Sequence, residues 1–157
     1  MINIRRFLCL ILILAFALTA SAGAAKYYTD SDVTMIARLI YGEARGIDSL
    51  THKSAVAWVV LNRVDAGYAD GTIRGVITAR GQFAGYSKRH PVTSTHWHVA
   101  KDVLERWEAE KEGNPNVMRT LPRSYKYFSG NGKINRFRQN YNSRSYWNWS
   151  LPSPYVN

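Results

Sequence analysis

Apolar residues recur along this chain in blocks whose spacing predicts helices, followed by a C-terminal stretch where the period changes. Val33, Ile36, Ala37 and Ile40 share one face of a 3.6-residue repeat, behind the cap-rich cluster Thr29-Asp30-Ser31-Asp32. They predict a helix over about residues 31–45, with Gly46 just past its end. Ala55-Val56-Ala57-Trp58-Val59-Val60-Leu61 has no polar break. It predicts a second helix over about 51–64, capped by Ser49 or Thr51 and apolar nearly all round, hence central. The valines also suit a strand, but the length of the run and its caps favour the helix. Ile73, Val76 and Ile77 predict a short turn of helix. Trp97, Ala100, Leu104 and Trp107, at steps of three and four, predict a third long helix from about Ser94 to Lys111, stopped by Gly113-Asn114-Pro115. Beyond it, aromatic runs at Tyr125, Tyr127 and Phe128 and at Ile134 and Phe137 flank Asn131-Gly132, a hairpin signal. The pattern describes an α+β, predominantly helical domain with a small C-terminal β/loop region.

One apolar block does not belong to that fold. Arg5 and Arg6 precede twelve uninterrupted apolar residues, Phe7 to Leu18, and then the small residues Thr19 to Ala25. This is the layout of a secretory signal peptide, with cleavage after Ala22 or after Ala24. We take residues 1–24 as the leader and 25–157 as one catalytic domain. The run is shorter than the ~20 residues of a spanning helix, although an uncleaved anchor is the alternative reading. Composition then changes meaning. The chain has 21 Lys plus Arg, 11 Asp plus Glu and one cysteine, Cys9, which lies in the leader. The exported domain would hold no thiol, which excludes a cysteine nucleophile and a cysteine zinc site. Its net charge would remain +8 once Arg5 and Arg6 are lost.

The sharpest local chemistry is Tyr41-Gly42-Glu43-Ala44-Arg45-Gly46. Glu43 follows Ile36 by seven residues and Ile40 by three, so its carboxyl lies on the apolar face of its helix. Partial burial and the negative end of the helix dipole both favour the protonated form that a general acid needs. The competing reading is a solvated glutamate paired with Arg45 or Arg63.

The segments Ala37-Arg38-Leu39-Ile40-Tyr41-Gly42-Glu43-Ala44-Arg45-Gly46 and Ala55-Val56-Ala57-Trp58-Val59-Val60-Leu61-Asn62-Arg63-Val64 closely resemble the cell-wall hydrolase family typified by the spore cortex-lytic enzyme SleB. The likeness continues through Gly81-Gln82-Phe83 and Tyr127-Phe128. It implies a lysozyme-like, lytic-transglycosylase-type fold acting on peptidoglycan, with Glu43 as catalytic acid. Tyr41, Gln82, Phe83, Tyr127 and Phe128 become candidate substrate contacts, although such aromatics in a small domain more often pack in the core. Gly42 and Gly46 are expected to allow close packing and helix termination, and Arg45 and Arg63 to be structural. The chain departs from the family's usual pattern at Ala84, where a hydroxyl residue is common, and at Asn135-Arg136, where a histidine is common.

Hydrolysis of a glycoside ordinarily needs two carboxylates about 5–10 Å apart. The next acids, Asp48, Asp65 and Asp70, lie in loops, so single-glutamate transglycosylation is the favoured expectation. Two-carboxylate hydrolysis and a non-catalytic wall-binding module are the rivals. His90, His96 and His98 form a cluster, but residues two apart on a helix diverge, and no His-x-x-x-His spacing occurs, so neither metal nor cofactor is expected. Basic clusters at Arg80, Lys88 and Arg89, and at Lys126, Lys133, Arg136, Arg138 and Arg144, suit anionic cell-envelope polymers or simple solubility. Export to the periplasm or the cell wall argues against nucleic acid. A monomer is expected.

Overall fold

The computed structural model describes residues 27–155, and the expected leader, with Cys9, lies outside the described residues. Four helices, α1 (Asp30–Ala44), α2 (Leu50–Asp65), α3 (Ile73–Thr78) and α4 (Ser94–Lys111), precede a hairpin of β1 (Tyr127–Gly130) and β2 (Asn135–Arg138). The class is α+β, with helix dominant and one two-stranded antiparallel sheet.

Each helix begins where a short polar side chain can take an orphan amide. Thr29 and Asp32 form a reciprocal capping box at α1, Ser49 caps α2, Thr72 caps α3 and Thr93 caps α4. The α2 segment is helical rather than a strand. Every residue from Ala55 to Leu61 is fully buried, because α1, α3 and α4 surround it. Trp58 is the largest of these side chains, and the Arg119 guanidinium stacks 3.9 Å from its ring centroid. Arg119 also pairs with Glu110 at 2.5 Å, both side chains being at most 10% exposed, which ties the irregular segment after α4 to that helix.

The hairpin pairs Phe128 with Phe137 and Gly130 with Asn135. Its four-residue connection is an Asx turn. The Asn131 carboxamide oxygen accepts from the amides of Lys133 and Ile134, and Gly132 takes φ 83°, which favours glycine. On β2 the side chains alternate: Asn135 and Phe137 face the core, Arg136 and Arg138 face outward.

The end of α1 has Gly46 just past it, as expected, without a left-handed glycine cap. Arg45 closes the helix in right-handed conformation, and Gly46 has no positive φ. Its missing side chain serves packing instead. A Cβ at Gly46 would lie 2.5 Å from the carbonyl oxygen of Gly132, so the hairpin turn rests directly on the helix end.

Candidate functional site

The last turn of α1 is enclosed from two sides. On one side the loop after α3 crosses it so closely that a Cβ on Gly42 would come within 1.8 Å of the Gly85 carbonyl oxygen. On the other side stands the hairpin turn. Between them Glu43, Gly42, Ala44, Arg45, Gly46 and Gly132 line a recess of about 120 Å³. Glu43 is half-buried and held at both its ends. Its Oε1 accepts the Gly85 amide at 2.8 Å, and its carbonyl oxygen accepts the Asn135 side-chain amide at 3.1 Å. The setting is therefore less apolar than helical periodicity suggests, since a fixed backbone donor addresses one carboxyl oxygen. Gly85 must be glycine for this approach, because its Cβ would meet the Glu43 carboxyl carbon at 2.7 Å.

Neither arginine pairs with Glu43. Arg45 is exposed at the rim of the recess, with its guanidinium 5.6 Å from the Tyr41 ring centroid. Arg63 is 4% exposed and faces elsewhere. Its Nε donates to the Lys126 carbonyl at 2.7 Å, its Nη1 donates to the Gln82 side-chain oxygen at 2.9 Å, and it lies 4.7 Å from the Phe83 ring centroid and 5.4 Å from that of Tyr127. Burial lowers its pKa, opposed by the nearby Tyr127 and Tyr68 hydroxyls.

The candidate residues thus fall into two groups. Gly42, Glu43, Arg45 and Gly46 form the recess. Gln82, Phe83 and Tyr127 gather on Arg63, with Phe128 packed between Phe83 and Phe137. Loop and hairpin join the groups, each having one end on Arg63 and the other on Glu43. Phe83 is 7% exposed, so its face belongs to the core. Tyr127 shares a 2.9 Å hydroxyl contact with Tyr68, and this bond and burial push its pKa up. Tyr41 is not beside Glu43 on the helix. Its ring stands 5.2 Å from His90 and 5.4 Å from His96. His96 is buried against Thr93, whereas His98 is exposed and bonds Ser94, so the two diverge as their spacing requires.

Removal of the Arg63 side chain would leave the part-buried Lys126 carbonyl without its donor and open a void beside Phe83. Arg63→Ala should lose about 3 kcal/mol of stability in urea unfolding. A loss below ~0.5 kcal/mol would show that the guanidinium does not hold loop and hairpin together.

Asp65 is the last residue of α2 rather than a loop residue, and both it and Asp70 are engaged elsewhere. Asp65 pairs with Lys111 at 2.5 Å and accepts from the Trp107 indole, and Asp70 accepts from the amide and hydroxyl of Thr72. Asp48 is exposed, in the loop between α1 and α2. A larger hollow of about 570 Å³, between the start of α2, α4 and Tyr155, contains none of the candidate residues. Its acids Asp102 and Glu105 are bonded to Arg106 and Lys101.

Gly85 and Asn135 carry no functional signal in the sequence. Gly85 is one glycine in a glycine-rich loop, and Asn135 stands at a departure from the usual family pattern. Comparison with known proteins agrees with the sequence resemblance at the level of family. The family model described as Cell Wall Hydrolase matches residues 48–150, about two-thirds of the chain, and the protein belongs to that family. A spore cortex-lytic enzyme of Oceanobacillus iheyensis is 37% identical over 59 residues, which cover 38% of this chain and 21% of that protein. The matched part is thus about a fifth of the relative's length. No solved structure matches the chain. The family match begins at residue 48, past α1, so the assignment of Glu43 rests on the helix-end geometry and on the resemblance of its own motif. Among the described residues no helix is long and apolar enough to cross a membrane, and no group of three or more His, Cys, Asp or Glu side chains is placed to hold a metal ion.

Proposed function

We propose that the protein cleaves the glycan strand of peptidoglycan outside the cytoplasm, as a lysozyme-like domain with Glu43 as its catalytic group, by lytic transglycosylation. The observation that carries this reading is that Glu43 is the one carboxylate lining the recess, clamped by Gly85 and Asn135 while Oε2 has no protein hydrogen bond among the described residues. The leader in residues 1–24 would deliver the domain, residues 25–157, to the periplasm or wall.

In this mechanism protonated Glu43 gives its proton to the glycosidic oxygen as the C1–O4 bond breaks, and the electron pair leaves with O4. Glu43, now a carboxylate, takes the proton from the C6 hydroxyl of the same muramoyl residue, and O6 bonds to C1. A 1,6-anhydro ring closes, Glu43 is protonated again, and no water is consumed. A second carboxylate is not needed, which agrees with the engagement of Asp65 and Asp70 by other partners. Mass spectrometry of digested peptidoglycan tests this directly. Anhydromuramoyl ends are expected, and reducing-end muramic acid as the sole product would overturn transglycosylation in favour of hydrolysis.

A further inference from the structure

After Glu112 the chain carries seven basic residues and no acidic one. Two of the seven, Arg119 and Arg123, pair with Glu110, and each of the five ion pairs among the described residues includes a residue of α4. None of these pairs involves Arg45, Arg136 or Arg138. All three share another arrangement. Arg45 lies 5.6 Å from the Tyr41 ring centroid, Arg136 lies 5.6 Å from that of Tyr146, and Arg138 lies 5.8 Å from that of Tyr141. Stacking on a ring holds a guanidinium in place without neutralising it, so its outer donors stay available to an incoming anion; Arg138 is half-buried with its Nε closed off, and it offers its terminal amino groups. Tyr141 is 71% exposed and Tyr146 41% exposed, so the rings are accessible as well.

Of these residues Arg45 lines the Glu43 recess itself, and the β2 arginines lie beyond its opposite wall. Arg45 is on one rim. On the other, Gly132 walls the recess, and its neighbour Asn131 walls a second hollow of about 240 Å³ shared with Ser129, Ile134 and Arg136. Arg136 and Arg138 then continue along the outer face of β2, two residues and about 7 Å apart. We infer that this arginine and tyrosine rail binds the carboxylates of the peptides carried by the glycan strand, and so selects anionic, peptide-bearing strands for the recess. This deepens the proposed reading of the Glu43 site and rests on it for the identity of the polymer. The continuity of the rail with the recess favours the cleaved strand itself over a separate phosphate polymer. The rings suit sugar faces and the guanidinium forks suit carboxylates.

Binding can be read without turnover by cosedimentation of the Glu43→Gln protein with purified sacculi stripped of phosphate polymers by acid. Adding Arg136→Gln and Arg138→Gln is expected to weaken this binding roughly tenfold at about 0.1 M salt. Amidation of the sacculus carboxylates should weaken the starting protein to a similar degree and make the added substitutions almost silent. Arg136→Gln alone, on an exposed side chain, should give roughly threefold and covers the case in which the double change disturbs the fold, as judged by circular dichroism. Unchanged binding by the arginine variants, equal binding to amidated sacculi, or tighter binding to single-stranded DNA or only to phosphate-bearing walls would each overturn the inference. A fully active Glu43→Gln enzyme would instead sink the catalytic reading, leaving the binding comparison intact.

Discussion

Glu43→Gln is expected to reduce turnover of solubilised peptidoglycan by at least about 10³-fold while leaving the folded structure and its melting temperature unchanged. The size follows from the two proton transfers assigned to one side chain, since positioned acid–base catalysis contributes roughly 10²–10⁴-fold. The unchanged fold follows from geometry. The glutamine carbonyl oxygen can still accept the Gly85 amide now bonded to Glu43 Oε1, and the backbone bond from Asn135 is untouched. Asp48→Asn is the matching control, because Asp48 is exposed and close enough to Lys53 to raise its pKa against the lowering effect of burial. It should retain activity within about threefold, as expected for a surface side chain that touches nothing in the reaction. Equal losses in the two variants would replace the single-glutamate reading with a two-carboxylate one.

Gly42→Ala should be nearly as damaging although it adds only one methyl group, on a residue that takes no part in proton transfer. In an exposed helix interior this change gains about 0.5–1 kcal/mol from backbone propensity alone. Here the new Cβ would sit 1.8 Å from the Gly85 carbonyl oxygen, 2.6 Å from its carbonyl carbon and 2.9 Å from His90 Cε1. Two of these atoms are backbone, so the loop must move by more than an ångström, and sterics outweigh propensity. Overpacking of this kind costs about 1–3 kcal/mol. The loop carries the amide that fixes Glu43, so activity should fall on the order of 10²-fold, the penalty for an ångström of misplacement. Urea midpoints and kcat/KM on the same preparation check both parts. A variant more stable than the parent and equally active would mean that the loop does not hold Glu43.

The helices were legible because each has a local signature. Thr29, Ser49, Thr72 and Thr93 are capping residues placed ahead of periodic apolar runs, and no tertiary information is needed to place them. The hairpin was legible for the same reason, from Asn131-Gly132. Glu43 stood out through its motif and its helical face. Its surroundings did not, because Gly85 and Asn135 become its neighbours only when separate elements dock. The Gly81-Gln82-Phe83 motif lies just before Gly85 and Asn135 stands where a histidine is common, but neither signal says that the residue touches Glu43. Arg63 shows the same limit: its structural role was readable, but its partners Gln82 and Lys126 are 19 and 63 residues away. Gly46 was placed at the helix end with close packing expected there, but its partner, the Gly132 carbonyl, is 86 positions away and left no local signal.

The clamp on Glu43 also sets a condition on when the protein can act. Its side chain is fixed by an amide 42 positions away and its carbonyl by a side chain 92 positions away, so neither bond exists until most of the chain has been made and folded. Contacts of such long sequence separation close late, because the entropy of the intervening loops must be overcome first. A nascent or translocating chain would therefore carry Glu43 on a helix with no recess around it. On the proposed reading, the site around Glu43 is complete only when the segment that reaches Asn135 has folded onto α1.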